Sequence, residues 1–164
     1  MPELTISPAA PADVPIIRQM IHELATYERE PESATATDAD LQAALFGDHP
    51  AAEVLMARVD GEAVGFALFF HNFSTWTGRR GIYLEDLFVR PSARGLGAGR
   101  VLLETLAQIA KARGCARMDW AVLDWNDLAI GFYQRIGARR LDDWRIFRLT
   151  GEALDRLATP SPAP

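Results

Sequence analysis

The sequence is poor in the residues that build disulfide-linked or metal-bound folds. It contains one cysteine, Cys115, among 164 residues. A single thiol forms no internal disulfide and no multi-cysteine zinc or iron–sulfur site, which favours a reducing compartment and a buried, structural Cys115. No uncharged apolar run reaches about 18 residues, and the N-terminus has no basic segment followed by an apolar one. We therefore expect a cytoplasmic protein without a membrane span.

Histidine is also scarce. His22, His49 and His71 share no metal-ligand spacing, so we predict no metal. The net charge of −5 disfavours nucleic acid as a partner and suits a small cationic substrate. With 49% hydrophobic and 24% charged residues, the composition is that of an ordinary globular protein. The length predicts one domain over residues 1–158, followed by a proline-rich tail over residues 159–164 that frays.

Hydrophobic periodicity predicts a mixed α/β fold. The predicted strands cover residues 3–7, 53–59, 63–70, 82–89, 117–123 and 144–149. The predicted helices run from Asp13 to Tyr27, from Asp38 to Phe46, from the glycine-rich run to Gly114 and from Asn126 to Gly137. Between the second and third strands, Asp60-Gly61 is typical of a tight hairpin turn. The fourth strand is apolar enough for burial on both faces and contains Glu85 and Asp86.

A glycine-rich run joins this central strand to an amphipathic helix. Its sequence is Arg94-Gly95-Leu96-Gly97-Ala98-Gly99-Arg100. Three glycines let backbone N–H groups approach an anion, and the helix dipole and two arginines favour a pyrophosphate there. The run is neither a P-loop nor a G-x-G-x-x-G fingerprint, because no Gly-Lys-Ser/Thr follows and position 100 is arginine. A flexible connection without a ligand is the alternative.

Two motifs together resemble the Gcn5-related N-acetyltransferase (GNAT) superfamily. Its acetyl-CoA motif is matched by Leu87-Phe88-Val89, Ser92-Ala93 and the run from Arg94 to Arg100, and its second signature by Asn126, Phe132-Tyr133 and Gly137-Ala138. Within the superfamily the chain is most similar to the diamine (spermidine/spermine or thialysine) N-acetyltransferases. The residues that carry this similarity are Glu23-Leu24-Ala25, Tyr27-Glu28, Tyr83-Leu84-Glu85-Asp86, Trp125-Asn126 and Phe132-Tyr133. The resemblance extends from Ile6 to Leu149.

The resemblance implies a fold and a set of roles. The fold is a single-domain mixed, mostly antiparallel sheet of about seven strands, split at a bulge in the fourth strand, with helices on both faces. Acetyl-CoA would lie in the split. The backbone of Leu87, Phe88 and Val89 would bind the pantetheine arm, and Arg94, Gly95, Leu96, Gly97, Ala98, Gly99 and Arg100 would bind the pyrophosphate. The second signature would contact the cofactor through Asn126, Ala129 and Tyr133.

Acetyl transfer to an amine also requires proton transfer. A primary ammonium with a pKa of about 10.4 is rarely neutral at pH 7, and only the neutral amine attacks a thioester. Glu85 is our candidate for attracting the cation and accepting its proton, and Tyr133 is our candidate for protonating the departing thiolate. The candidate substrate contacts are Tyr27, Glu28, Glu85, Asp86, Asp119 and Trp120.

Each of these candidates has a purely structural alternative. Glu85 and Asp86 can pair with arginines, Tyr133 can pack in the core at helical spacing, and Asn126 can cap a helix while also meeting the cofactor.

The chain departs from polyamine-acetylating relatives ahead of the fourth strand. Those relatives carry an aspartate before Pro-Trp, whereas this chain has Ser74-Thr75-Trp76. A shorter diamine, thialysine, a lysine-like amino acid or another amine is therefore expected to be preferred over spermine. Acetylation of a protein N-terminus or lysine, and a non-catalytic acyl-CoA-binding domain, are the alternative functions. By analogy with relatives we also expect a homodimer.

Overall fold

In the computed structural model, the structure describes residues 1–161. The last three positions of the predicted frayed tail lie outside these described residues. The chain divides into two compact units, Met1–Leu123 and Asp124–Pro164. No helix within residues 1–161 is long and apolar enough to cross a bilayer.

The first unit contains five strands and three α-helices. In chain order they are β1 (Leu4–Pro8), α1 (Val14–Tyr27), α2 (Asp38–Phe46), β2 (Glu53–Val59), β3 (Glu62–Ser74), β4 (Arg79–Val89), α3 (Ala98–Ala112) and β5 (Met118–Trp120). Single 3-10 turns occur at Pro11–Asp13, Pro31–Ser33 and Pro91–Ala93. The second unit contains α4 (Asp127–Arg135) and α5 (Gly151–Ala158).

The sheet has the order β1-β2-β3-β4-β5, and every pair is antiparallel except β4 with β5. The predicted mixed, mostly antiparallel sheet is therefore confirmed. The β2–β3 hairpin turns at Asp60 and Gly61, whose φ angles are 50° and 87°. Positive φ at both positions is the geometry that the Asp-Gly dipeptide favours.

The predicted seven strands are wrong: residues 1–161 form five. The fifth strand was predicted over 117–123 but pairs only at Met118–Trp120, because β4 bulges immediately after the residues that β5 contacts. The predicted strand over 144–149 is not a strand in the described part of the chain. A run of strand-favouring apolar residues alone does not form a strand, since a strand also needs a hydrogen-bonded neighbour. The helix Gly151–Ala158 was not predicted.

Helix α1 is held by its apolar stripe rather than by a side-chain cap. Ile17, Met20 and Leu24 repeat at helical spacing and are buried. Asp13 stands at the N-cap position as predicted, but its side chain does not bond to the helix. Its carboxylate instead accepts from the backbone N of Ala10 at 2.8 Å and pairs with Arg58 at 2.6 Å. Burial of large apolar side chains, at about 1.5–3 kcal/mol each, therefore fixes this helix.

Within the first unit, helices cover both faces of the sheet. Val54 and Met56 of β2 pack in one buried cluster with residues of α1 and α2. The alternate residues Leu55 and Ala57 are also buried, and because strand side chains alternate they point to the opposite face. Helix α3 lies against β1 to β4 through a stripe of buried residues. That stripe consists of Leu102, Leu103, Leu106 and Ala110.

Candidate functional site

The centre of β4 carries the bulge that the resemblance implies. Leu68 of β3 pairs with Asp86, and the next residue, Phe69, pairs with Leu84. Glu85 is therefore the extra residue on β4, without an opposite residue on β3. A bulge of this kind bends the strand and redirects side chains, and bulges are frequent beside active sites. Glu85 is exposed at this position.

The bulge also changes which β4 side chains share a face. Tyr83 pairs with Phe70, and Asp86 pairs with Leu68. Phe70 and Leu68 are two residues apart on β3 and thus lie on one face, so their partners Tyr83 and Asp86 lie on that face too. Without the bulge, residues three apart would point to opposite faces. The strand irregularity therefore gathers an acid and a phenol on the side of the sheet covered by α1 and α2.

Three carboxyl groups lie close enough there for their charges to shift the pKa values of two of them, Asp86 and Glu28. Burial, followed by the charges of Glu85 and Glu28, raises the pKa of Asp86 to about 6. Burial and the charge of Glu85 raise the pKa of Glu28, which follows the last residue of α1. We call Glu28, Glu85 and Asp86 the acidic cluster. Its members come from the end of α1 and from the β4 bulge, and together they create a negative potential that suits a cation.

Tyr83 is a neighbour of this cluster that the sequence analysis did not place in the site. Burial, then Glu85 and Asp119, raise the pKa of its hydroxyl. The resemblance implies a bulge in this strand but not which residue is the extra one, and that position places Tyr83 on the same face as Asp86.

Asp119 and Trp120 belong to β5, where they are half-buried. Asp119 lies opposite Tyr83 and Trp120 lies opposite Leu84 in the parallel pairing with β4. The carboxylate of Asp119 also pairs with Arg117 at 3.2 Å. The charges of Asp119 and Glu85 both raise the pKa of Tyr83. Asp119 is therefore a candidate substrate contact that lies near the acidic cluster.

Beyond this pairing, the two strands separate. The β4–β5 register covers Ile82 to Leu84 only, so within the described residues β5 does not accompany β4 from Glu85 to Val89. The edge formed by Leu87, Phe88 and Val89 is therefore the edge at which an extended ligand can meet β4 backbone groups. The ring of Phe88 is buried in the core, so this residue contributes backbone rather than side chain.

The glycine-rich run after β4 leaves space for an anion. Gly95 and Gly97 have φ angles of 88° and 81°, and a Cβ at either would meet nothing within 4 Å. The first helical hydrogen bond runs from Val101 N to Gly97 O at 3.0 Å. Within residues 1–161, the backbone amides of 98–100 have no carbonyl partner. Unpartnered amides at the start of a helix fit a diphosphate.

The side chains around this loop have separate partners. Arg94 lies over the ring of Tyr27, with Cζ 5.2 Å from the ring centroid. Arg100 donates to Glu104 one turn later at 2.7 Å, and both side chains are largely exposed. An exposed ion pair of this kind contributes little to folding stability, so Arg100 can leave Glu104 to bind a more strongly charged anion. Leu96 lines a small pocket of about 240 Å³ together with Met1, Pro2, Leu4 and Val59.

The second unit carries the remaining cofactor candidates on α4. Asn126 caps this helix, because its Oδ1 accepts from the backbone N of Ala129 at 3.3 Å. Tyr133 lies in the last turn of α4, two residues before its end, with its ring centroid 5.6 Å from that of Phe132. Gly137 follows the helix with a φ of 94°. The predicted cap and terminator of this helix are therefore confirmed.

Cys115 is buried as predicted. The structure adds a contact that sequence distance concealed, since Sγ lies 3.8 Å from Nδ1 of His71. The same ring nitrogen lies 3.0 Å from the carbonyl oxygen of Gly81. Among the described residues, no three His, Cys, Asp or Glu side chains are grouped as metal ligands would be.

Comparison with known proteins identifies the family. The profile of the acetyltransferase (GNAT) family matches residues 17–138. A thialysine N-epsilon-acetyltransferase from Sus scrofa is 38% identical over 169 aligned residues, covering 96% of this chain and 99% of that protein. An L-ornithine N5-acetyltransferase from Arabidopsis thaliana is 31% identical, covering 91% and 85%. The solved structure of an integron cassette protein from the mobile metagenome of V. cholerae has a TM-score of 0.81 at 30% identity, over 96% and 98% of the two chains.

The family profile spans well over half of the chain, and the relative from Sus scrofa aligns with the chain over nearly the full length of both proteins. Members of this family use acetyl-CoA as cosubstrate. The predicted family is thus confirmed: the chain belongs to the acetyltransferase (GNAT) family and is an N-acetyltransferase.

Proposed function

We propose that the enzyme transfers the acetyl group of acetyl-CoA directly to a primary amine of a small cationic substrate, namely a diamine, a polyamine or a lysine-like amino acid such as thialysine. The observation that carries this proposal is the acidic cluster. Its three carboxyl groups stand at the β4 bulge, beside the strand edge and glycine-rich run that fit a CoA thioester. The names of the relatives from Sus scrofa and Arabidopsis thaliana support the same substrate class.

The acidic cluster answers the main difficulty of the reaction. Deprotonating a lysine-like ammonium at pH 7 costs about 4–5 kcal/mol, from its pKa of about 10.4. The cluster first attracts the cation. Glu85, exposed on the bulge, then accepts the proton directly or through water. Glu28 and Asp86 hold the cation in place, and Tyr27, Asp119 and Trp120 complete the substrate contacts.

The cofactor contacts follow from the β4 edge and the loop after it. Backbone groups of Leu87, Phe88 and Val89 bind the pantetheine arm, and the amides of the run from Gly95 to Arg100 bind the diphosphate, with Arg94 adding charge. A backbone N–H near Val89 stabilises the tetrahedral oxyanion that amine attack produces. The open positions at Gly95 and Gly97 support this assignment, because a side chain at either would occupy the approach to the amides.

We assign Tyr133 the role of proton donor to the departing thiolate. The assignment rests on the Phe132-Tyr133 element of the second family signature. A phenol, with a pKa of about 10, gives its proton uphill to a thiolate of pKa about 8.5, so the transfer depends on the surroundings that the loaded enzyme provides. Asn126 and Ala129 are assigned to the cofactor on the same ground. The homodimer and the cytoplasmic location stay predictions.

An amine panel tests the proposal. The purified enzyme would be given acetyl-CoA with diamines, spermidine, spermine, thialysine, lysine and ornithine, and thiol release would be followed. Peptides with a free N-terminus or an internal lysine form the second arm. We expect turnover with one or more small amines and at least about tenfold lower kcat/KM for the peptides. Preference for peptides supports the protein acetyltransferase alternative, and CoA binding without turnover of any amine supports the non-catalytic one.

A further inference from the structure

The last turn of α1 lies beyond the part of the helix that the core holds. Leu24 is the last buried residue of α1, at 8% exposure. Tyr27, one turn later, is 39% exposed, and Glu28 follows it directly. These two residues are the candidate substrate contacts from this helix. Their position therefore depends on polar contacts near the helix end rather than on burial alone.

One such contact is a two-point ion pair between α1 and the residue after β4. Arg90 Nε donates to Glu23 Oε2 at 2.9 Å, and Arg90 Nη2 donates to Glu23 Oε1 at 2.8 Å. The remaining terminal nitrogen, Nη1, donates to the carbonyl oxygen of Ala63 at 3.0 Å. The guanidinium thus uses its planar fork fully, which fixes orientation as well as distance. Both side chains are about one-quarter to one-third exposed.

Arg90 is itself held rigidly by its backbone. Its N–H donates to Val64 O at 2.8 Å, and its carbonyl oxygen accepts from Ala93 N at 2.9 Å. It stands between the end of β4 at Val89 and the 3-10 turn that leads into the glycine-rich run. Glu23 is therefore tied to the junction between the strand edge and the anion-binding loop.

A second contact between α1 and the segment after β4 lies four residues further along each of them. Tyr27 lies four residues after Glu23 on the same face of α1, and Arg94 lies four residues after Arg90. The Arg94 guanidinium lies over the Tyr27 ring at 5.2 Å. The end of α1 is thereby attached at two points to residues 90–94, and the ion pair is the attachment with fixed geometry.

We propose that Glu23 and Arg90 are positioning residues for amine use: their ion pair holds Tyr27 and Glu28 in register with Glu85 and Asp86. The proposal rests on the proposed function, because it assumes that the acidic cluster receives the amine. Without the pair, the helix end moves away from the bulge, and the amine loses carboxylate contacts while the β4 edge and the glycine-rich run stay in place. The hydrogen bonds from Arg90 keep the pKa of Glu23 below its ordinary value, so the pair stays formed at neutral pH.

The chain contains a matched control. Arg113 donates two hydrogen bonds to Glu53, at 2.6 and 2.8 Å, and the two side chains are 36% and 46% exposed, somewhat more than Arg90 and Glu23. This second pair joins β2 to the residue after α3 and involves neither α1 nor residues 90–94. Glu53→Gln therefore removes an equivalent ion pair elsewhere in the same unit.

The test compares Glu23→Gln, Arg90→Gln, the double variant and Glu53→Gln. For Glu23→Gln we expect the KM for the amine to rise about fivefold, with kcat and the KM for acetyl-CoA within about twofold of wild type. Each single variant already removes the ion pair. The amine KM of the double variant should therefore be no higher than that of the more impaired single variant. Glu53→Gln should leave the amine KM unchanged. Equal effects of Glu23→Gln and Glu53→Gln, or multiplying effects in the double variant, overturn the proposal.

Amide hydrogen exchange supplies a readout that does not need turnover. In Glu23→Gln we expect exchange at residues 25–30 to accelerate about tenfold, and in Glu53→Gln to stay at the wild-type rate. Unchanged exchange at residues 25–30 overturns the positioning role whatever the substrate. A wild-type enzyme that acetylates no amine overturns the proposed function instead, so the two failures are distinct.

Discussion

Asp86 has its pKa raised to about 6 by burial and by the adjacent carboxylate of Glu85. Glu28, from the end of α1, adds to this effect. At neutral pH the folded enzyme therefore carries negative charge in a place where charge is costly. A bound cation offsets that cost. The acidic cluster therefore lowers the stability of the free enzyme and favours its complex with a cationic substrate.

The first prediction concerns stability and pH. The folded pKa of Asp86 lies above its ordinary value of 3.8, so the folded state binds the proton more tightly than the unfolded state. The stability that protonated Asp86 contributes to the folded state is fully present below about pH 4 and is lost as the pH rises through about 6. Asp86→Asn removes this loss. We expect the variant to be more stable than wild type by about 1–2 kcal/mol at pH 8, discounted for partial solvent exposure, and by much less at pH 4.5.

Urea unfolding at both pH values measures this difference. Asp48→Asn, on an exposed turn, is the control and should show no difference that grows with pH. An Asp86→Asn advantage that is the same at pH 4.5 and pH 8 would show that packing, not charge, is responsible.

How far the sequence predicts the site depends on whether the information is local. The Asp60-Gly61 turn and the Asn126 cap are chemical requirements of a few neighbouring residues, and the structure has both as predicted. The glycines at 95 and 97 have positive φ angles and open space around them, while the pyrophosphate site there stays a prediction. The grouping of Tyr83 with Asp86 depends on one extra residue in a strand pairing, which no local pattern encodes.

The same reasoning explains the other differences. Cys115 and His71 are 44 residues apart and meet only because α3 returns to the sheet. Residues 144–149 are rich in the large apolar side chains that strands favour, yet the described chain provides them with no strand partner. Local composition therefore predicts the hairpin turn and the Asn126 cap better than it predicts how many strands a sheet contains.

The second prediction concerns the glycine-rich run. Gly95 has a φ of 88° and Gly61 has a φ of 87°, and a Cβ at either meets nothing within 4 Å. Alanine at either position should cost about 1–2 kcal/mol of stability from the left-handed backbone alone. Only Gly95→Ala also places a methyl group at the proposed diphosphate site. We expect it to weaken CoA binding about tenfold or more by isothermal titration calorimetry, while Gly61→Ala binds like wild type. Equal affinities in the two variants would contradict the proposed diphosphate site.

The third prediction concerns Glu85. Glu85→Gln removes the proposed base and one of the charges that attract the amine, so kcat/KM for the amine should fall about tenfold to hundredfold, mostly through KM. The charge of Glu85 also raises the pKa of Asp86 and of Glu28. Its removal should therefore shift the acid limb of the pH profile to lower pH. Glu32→Gln, in the exposed turn Pro31–Ser33, is the control. An unshifted profile with unchanged kcat/KM would exclude Glu85 from the site.

The fourth prediction separates chemistry from packing at Tyr133. Tyr133→Phe keeps the ring, its volume and its contact with Phe132, and removes only the hydroxyl group. If Tyr133 protonates the thiolate, kcat at saturating amine should fall by about 10²-fold or more, with both KM values within about twofold, because proton donation acts in the transition state rather than in binding. If the ring serves packing alone, kcat stays within about twofold of wild type. Steady-state kinetics with both substrates varied distinguishes the two results, and unfolding by urea checks that the variant is folded. A large fall in kcat without a change in stability is the outcome that the family signature predicts, since a hydroxyl group that only packs would affect stability before rate.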